Sequence, residues 1–354
     1  QRQGPVWLDI PIDIQGTRID KRKIKIFKYT KKKTKINSKV DSIEKLNKLL
    51  SKSQRPVFWL GNGIKLAKAE KLVPKLLKKL PFPTFLSWAA IDILSSDHKL
   101  NFGRPGVYGN RASNLILQNS DLIIAIGNRM SISMIGYVHD EFARKAKLVQ
   151  VDVDKSEIKK FKNKINLGIN LDAKIFLSTF IKKSNSNIKE KNLKNWLQFC
   201  KKTLNKYPHI EKKAHKDNNG FINSYKFIDR LSTKLRTNEC IVTDMGTALL
   251  SGHQVIKLKK NQSMMTSTGL GEMGFGLPGA IGASFGRNKG EVICLNCDGG
   301  MMLNLQELQT IDHYNLPIKI FIFNNDGYLM IKHPQKNLFS GRYNAVDKKS
   351  GVSC

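Results

Sequence analysis

CDGGMMLNLQELQTIDHYNLPIKIFIFNNDGY, residues 297–328, decides the fold. Just before it, residues 291–296 form an apolar run that reads as a buried strand. Asp298-Gly299-Gly300 makes a turn, and Leu303, Leu305, Leu308 and Ile311 follow at a mostly helical spacing. Residues 318–323 are the next strand. The stretch is therefore one β-α-β unit, with the carboxylate of Asp298 at the C-terminal end of its first strand. Ligands of open parallel sheets bind at such ends. A helix N-terminus there offers free N–H groups to a phosphate. Asp298 itself would repel a phosphate, and a divalent cation between them removes the conflict. Mg²⁺ takes one or two carboxylates plus phosphate and water oxygens. Asn325, at the end of the neighbouring strand, offers a further oxygen. The arrangement predicts Mg²⁺ carrying a diphosphate.

Working outward, 354 residues predict two or more domains. The net charge is +33, but the lysines are spread along the whole chain and accompany no nucleic-acid-binding signature. Charge of this kind supports only non-specific affinity for polyanions, so no specific nucleic-acid partner is expected. Five scattered cysteines, Cys200, Cys240, Cys294, Cys297 and Cys354, read as reduced thiols of an intracellular, cytoplasmic protein. The lone C-x-x-C at 294–297 has no second pair or nearby histidines for zinc, so it reads as strand and turn residues. No apolar run reaches the length of about 18 residues that a membrane span needs. The first residue is Gln1, and the expectation is that the chain begins inside a longer protein and also lacks its C-terminal end.

The chain divides as follows. GPVWLDIPIDI, residues 4–14, reads as a short buried strand, and 1–20 as the end of a preceding domain. A linker spans 21–39, with ten basic residues and no acidic one. From 40 to 182, short apolar runs at 56–60, 121–127 and 147–154 alternate with helical stretches, the pattern of a Rossmann-like parallel sheet. Gly61-Asn62-Gly63 lacks the rest of a dinucleotide fingerprint and reads as a tight strand-to-helix turn. LAKAEKLVPKLLKKL, residues 66–80, reads as an outer helix with lysines facing water, and Pro74 disfavours a long regular one. Residues 183–220 read as a polar connector with some helix, and 221–354 as a second α/β unit. The fold class is α/β, with parallel sheets carrying helices on both faces.

Asp298-Gly299 followed, after 24 intervening residues, by Asn324-Asn325 resembles the thiamine diphosphate motif Gly-Asp-Gly…Asn-Asn, with Cys297 at the first glycine. Cysteine there leaves the metal ligands intact but raises the question of strain in the turn. Further stretches extend the resemblance over nearly the whole chain: GPVWLDIPIDIQ, GRPGVYGNRASN, DLIIAIGNRM, VQVDVDKSEI and TSTGLGEMGFGLPGAIGASFG. In that order they resemble acetolactate synthase-like enzymes, large catalytic subunits whose central domain and diphosphate-binding domain follow a pyrimidine-binding domain.

The resemblance implies thiamine diphosphate and Mg²⁺ as cofactors. It implies Asp298, Asn325 and the backbone carbonyl of Gly327 as metal ligands, with Gly299 and Gly300 donating to the diphosphate. Gly246 and Thr247 would touch the diphosphate and pyrimidine, and Tyr328 belongs to the same cofactor-binding set. Met273 would wedge the cofactor into a bent form, while the Gly271 carbonyl accepts from the pyrimidine amino group. These two are the implied catalytic positions, through orientation. The implied reaction decarboxylates a 2-oxo acid such as pyruvate and joins the fragment to an acceptor carbonyl, giving an acyloin such as 2-acetolactate, the chemistry of branched-chain amino acid biosynthesis. A proton relay begins at a glutamate of the pyrimidine domain. The implied site lies between two chains, so a homodimer or homotetramer is expected, with room for a regulatory subunit, and the chain alone is expected to be inactive.

Three departures mark divergence. GNRMSISMIG keeps only Gly127 and Arg129 of the family's FAD-associated pattern, which leaves FAD open. Thr247-Ala248-Leu249 replaces Gln-His-Gln, and Pro334 replaces a tryptophan of the acceptor pocket, beside His333. A decarboxylase, a carboligase with another acceptor such as those of polysaccharide pathways, and a non-catalytic basic binding module are the alternatives.

Overall fold

The computed structural model describes residues 7–27, 38–161, 164–186, 188–211, 213–218 and 220–352. Two separate sheets are built, and both are entirely parallel. The first has five strands: β1 (Pro56–Leu60), β2 (Thr84–Leu86), β3 (Leu122–Ile126), β4 (Lys147–Asp152) and β5 (Leu167–Asn170). Their order is β2-β1-β3-β4-β5. The second has β6 (Cys240–Thr243), β7 (Ser263–Thr266), β8 (Val292–Cys297) and β9 (Ile318–Phe323), in the order β7-β6-β8-β9.

β1, β3 and β8 are buried at every residue, as continuous apolar runs should be when helices cover both faces. Alternate residues feed opposite cores. Phe58, Leu60, Ile124 and Val149 pack on one face against Phe176 and Phe180 of the helix Ala173–Lys183. Val57, Trp59, Ile123 and Leu148 pack on the other against Trp196 and Cys200. Those last two lie on the helix Glu190–Lys206, inside the segment read as a polar connector. The indole of Trp196 donates to Pro56 O at 3.1 Å, which pins this helix onto β1. In the second unit Ile241, Ile293 and Leu295 face one core and Val242, Val292 and Cys294 the other.

Two expectations change. Residues 66–80 are not one helix: Gly63–Leu66 and Val73–Lys79 are separate, with Pro74 in the first turn of the second, where its missing N–H costs nothing. The described part of residues 4–14 is not a buried strand. It carries one helical turn, Ile12–Gln15, and Trp7 is 91% exposed. Among the described residues no strand lies beside it, and a strand without a partner leaves its backbone unpaired. Most of the basic run, residues 28–37, lies outside the described residues. None of the described helices is long and apolar enough to cross a membrane.

Gly61 and Gly63 make a tight turn. Their amides donate to Ile126 O at 2.9 Å and Gly127 O at 2.8 Å. A side chain at Gly61 would come within 2.1 Å of the Asn128 backbone, so glycine serves close chain approach here.

Candidate active site

In the second sheet the strand order reverses between β6 and β8, which creates a crevice at their C-terminal ends. Four strand ends supply its walls. Met245, Gly246 and Thr247 follow β6, Gly271 and Met273 follow β7, Asp298 to Gly300 follow β8, and Asn325, Gly327 and Tyr328 follow β9. Together they line a cleft of about 170 Å³. All ten residues that the resemblance implies as cofactor or metal contacts line it. Leu329, Met330 and Ile331 close one side.

Asp298 is 7% exposed and opens a single helical turn, Asp298–Met301. Its Oδ2 accepts from the backbone N–H of Asn325 at 2.9 Å and of Gly327 at 3.2 Å. Its Oδ1 accepts from Gly299 N at 2.9 Å. The carboxylate thus ties the ends of β8 and β9 together while keeping lone pairs for a cation. Beside it the amide oxygen of Asn325 is buried with no hydrogen-bond partner. A buried carbonyl left so is costly unless something completes it. Among the described residues no group of three or more His, Cys, Asp or Glu could hold a metal. One carboxylate and one amide oxygen suit Mg²⁺ that takes its remaining ligands from phosphate, water and backbone. The residues present therefore fit Mg²⁺ with a diphosphate.

The glycines of the turn are set by contact. A side chain at Gly299 would strike the Tyr328 ring at 2.3 Å, and one at Gly300 would lie 1.7 Å from Asp244 Oδ2. Gly246, at φ +91°, turns the chain into the helix Thr247–Val255. Cys297 replaces the motif's first glycine without strain, because its backbone is extended (φ −117°, ψ 157°). Its Sγ accepts from Ala248 N at 3.4 Å. Burial pushes this thiol up to about 11, and that of Cys294 to about 12, so both are protonated at neutral pH.

Sequence reasoning missed Asp244. It is fully buried at the end of β6 and accepts from Gly274 N and Gly276 N, both at 3.2 Å. Burial raises its pKa, opposed by the N–H groups of Gly274, Met245, Gly276 and Phe275. Its signal was present in the sequence: TDMG ends a strand in an acidic residue, as CDGG does. His333 does not join the cleft lining. It is exposed and contacts Asn337 at 2.9 Å within one helix.

Fold and site together define a two-sheet parallel α/β protein with a ligand-sized cleft at the switch point of its second sheet. Residues 43–180 match the family described as thiamine pyrophosphate enzyme, central domain, and residues 244–353 match thiamine pyrophosphate enzyme, C-terminal TPP binding domain. The chain belongs to the thiamine pyrophosphate enzymes, with homology to acetolactate synthase large subunits. It is 33% identical to a probable acetolactate synthase large subunit of Methanococcus aeolicus, over 96% of this chain and 58% of that protein. It is 32% identical to the acetolactate synthase isozyme 1 large subunit of Escherichia coli, with the same coverage. Isozyme 2 of the same organism is 28% identical over 97% of this chain and 59% of its own length. The chain thus spans somewhat under two thirds of the relatives it matches.

Proposed function

We propose that the whole protein is a thiamine diphosphate- and Mg²⁺-dependent enzyme that decarboxylates a 2-oxo acid, pyruvate first among the candidates, and ligates the fragment to an acceptor carbonyl. The observation that carries this reading is the partnerless buried oxygen of Asn325 beside the Asp298 carboxylate, at the mouth of a family-matched cleft. Bound thiamine diphosphate would supply the carbon nucleophile and the electron sink for decarboxylation. Asp298, Asn325 and the Gly327 carbonyl would hold Mg²⁺, and the amides of Gly299 and Gly300 would face the diphosphate. Met273 would prop the cofactor, and the Gly271 carbonyl would orient its amino group; both act by position.

Partners follow from the same reading. Leu270, 91% exposed, and the half-exposed Leu303, Leu329 and Ile331 flank the cleft with apolar surface that a second copy of the chain would cover. FAD gains no support from the central domain. The amides of Gly61 and Gly63 are already committed to Ile126 O and Gly127 O, and Arg129 is paired with Glu157 at 2.8 Å.

A second reading, with an acceptor other than a second pyruvate, has one observation in its favour. Of Thr247-Ala248-Leu249, which stand where the family has Gln-His-Gln, only Thr247 lines the cleft; Ala248 and Leu249 are buried and apolar. The test is to incubate the full-length protein with pyruvate, Mg²⁺ and thiamine diphosphate and to assay acetolactate and carbon dioxide together, with Asp298→Ala as control. Acetolactate that disappears in the control is expected. Carbon dioxide alone moves the reading to decarboxylation or to another acceptor. Failure of the wild-type protein to bind the cofactor would defeat it.

A further inference from the structure

Three segments of the cleft meet at one buried side chain that touches no surface of the cleft. Asp244 spends both carboxylate oxygens on the segment after Met273: Oδ2 on Gly274 N and Oδ1 on Gly276 N, each at 3.2 Å. The carbonyl of the same Gly274 accepts from Asn304 Nδ2 at 2.7 Å. Gly274, at φ +84°, is thus gripped at both ends of its peptide unit. On its other side Asp244 abuts Gly300, where any side chain would overlap Oδ2. Met273 in turn reaches the Gly299 turn, its Cε lying 3.3 Å from where a side chain there would begin. Burying a carboxylate is expensive, and amide donors repay that cost only while they stay in place.

We propose that Asp244 is the positioning residue of the cleft, fixing the segment that carries Gly271 and Met273 at a set distance from the Asp298–Gly300 turn. The proposal rests on the reading of the cleft as a thiamine diphosphate site, and Asp244 acts through Met273 and Gly271. A neutral amide at this position keeps one acceptor and turns an N–H group toward the other glycine amide. Alanine removes both acceptors. The effects should therefore be graded.

The test uses the full-length protein and the variants Asp244→Asn and Asp244→Ala. Hydrogen exchange of the amides at 271–276 is measured without cofactor, and thiamine diphosphate is then titrated at fixed Mg²⁺ by intrinsic fluorescence. Exchange should quicken at least tenfold in Asp244→Asn and further in Asp244→Ala, with exchange in β1 and β3 unchanged. The cofactor Kd should rise in the same order, by about tenfold and then more, while far-ultraviolet circular dichroism stays constant. Asp298→Ala should lose cofactor binding yet keep wild-type exchange at 271–276. If Asp244→Ala does not fold, Asp244→Asn decides. Wild-type exchange in Asp244→Asn overturns the positioning role, and so does a Kd within twofold of wild type. A wild-type protein that shows no cofactor binding, with exchange still dependent on Asp244, removes the functional reading and reduces Asp244 to a loop staple.

Discussion

Cys297 is the residue at which this chain leaves its family's pattern most visibly, and its surroundings say what the change does. The sulfur fills space beside Gly246, 3.2 Å from where a side chain there would begin, and takes the N–H of Ala248 in the first turn of the helix Thr247–Val255. A glycine would leave that buried N–H without its sulfur partner and leave a small void beside it. Cys297→Gly should therefore destabilise the protein by about 1–3 kcal/mol, from one lost weak hydrogen bond, an opened cavity and a freer backbone. Cofactor affinity should be retained or improved, because the metal-side carboxylate and amide are untouched. Urea unfolding and a thiamine diphosphate titration read the two effects separately. A tenfold loss of affinity would mean that the thiol is itself part of the cofactor contact.

Among the elements, the helix Thr247–Val255 connects the cleft to the central domain. Its first residue, Thr247, lines the cleft, while its last carbonyls are gripped by the 103–110 loop. Arg104 Nη2 donates to Gln254 O at 3.2 Å and Ile256 O at 3.3 Å, and Asn110 Nδ2 donates to Gln254 O at 2.8 Å. A buried guanidinium at a helix C-terminus is well placed against the negative end of the dipole. It also discourages a second cation nearby. His253, fully buried against Trp88, is pushed down to about 3, by burial first and then by Arg104 despite an opposing bond to Leu249 O. His209 is pushed down to about 4 by burial, Arg104 and Lys257. Both are neutral in the fold and bind protons more readily when unfolded. Their contribution to stability is whole above the ordinary value of 6.5 and is lost as pH falls toward the folded values. His253→Phe should gain on the wild-type protein by about 1.4 kcal/mol for each pH unit between 6 and 4. Urea midpoints at several pH values measure this, and parallel curves for the two proteins would refute it.

Other elements show where sequence reading reached and where it stopped. Asp298 and Asn325 were legible because each sits at the end of its own strand, a feature that periodicity exposes locally. The grip of Asp244 on Gly274 and Gly276, 30 and 32 residues away, was not, because nothing local encodes which loop a buried carboxylate will meet. The helix Glu190–Lys206 was legible only as some helix in a polar connector; what the sequence did not show is that Trp196 and Cys200 bury it against the first sheet. The described part of residues 4–14 failed in the opposite sense: apolar spacing read as a strand describes a residue's preference, whereas a strand also needs a neighbour.

At the scale of the whole molecule, charge is the feature that neither the fold nor the site uses. Lysine and arginine number 61 against 28 acidic residues, so most basic side chains have no acid to pair with one to one. Surface pairs such as Lys194–Glu190 and Arg144–Glu141 are exposed to solvent and contribute little. Salt weakens those pairs, but it also screens the repulsion of a +33 surface, as the Debye length falls from about 30 Å at 0.01 M to about 3 Å at 1 M. With so large an excess of one sign, the repulsive contribution outweighs the paired one. The melting temperature should therefore climb by several degrees between low and moderate sodium chloride. Sodium chloride and sodium perchlorate at equal ionic strength separate this screening from surface-tension effects, since only screening is common to both salts. A melting temperature that falls steadily with chloride would mean that the exposed ion pairs act as a network, and that the excess charge is spaced widely enough to do little harm. The same titration bears on the basic-module alternative. Retention on heparin that vanishes over the salt range in which stability rises marks polyanion binding as non-specific, because both effects then come from the same unscreened surface.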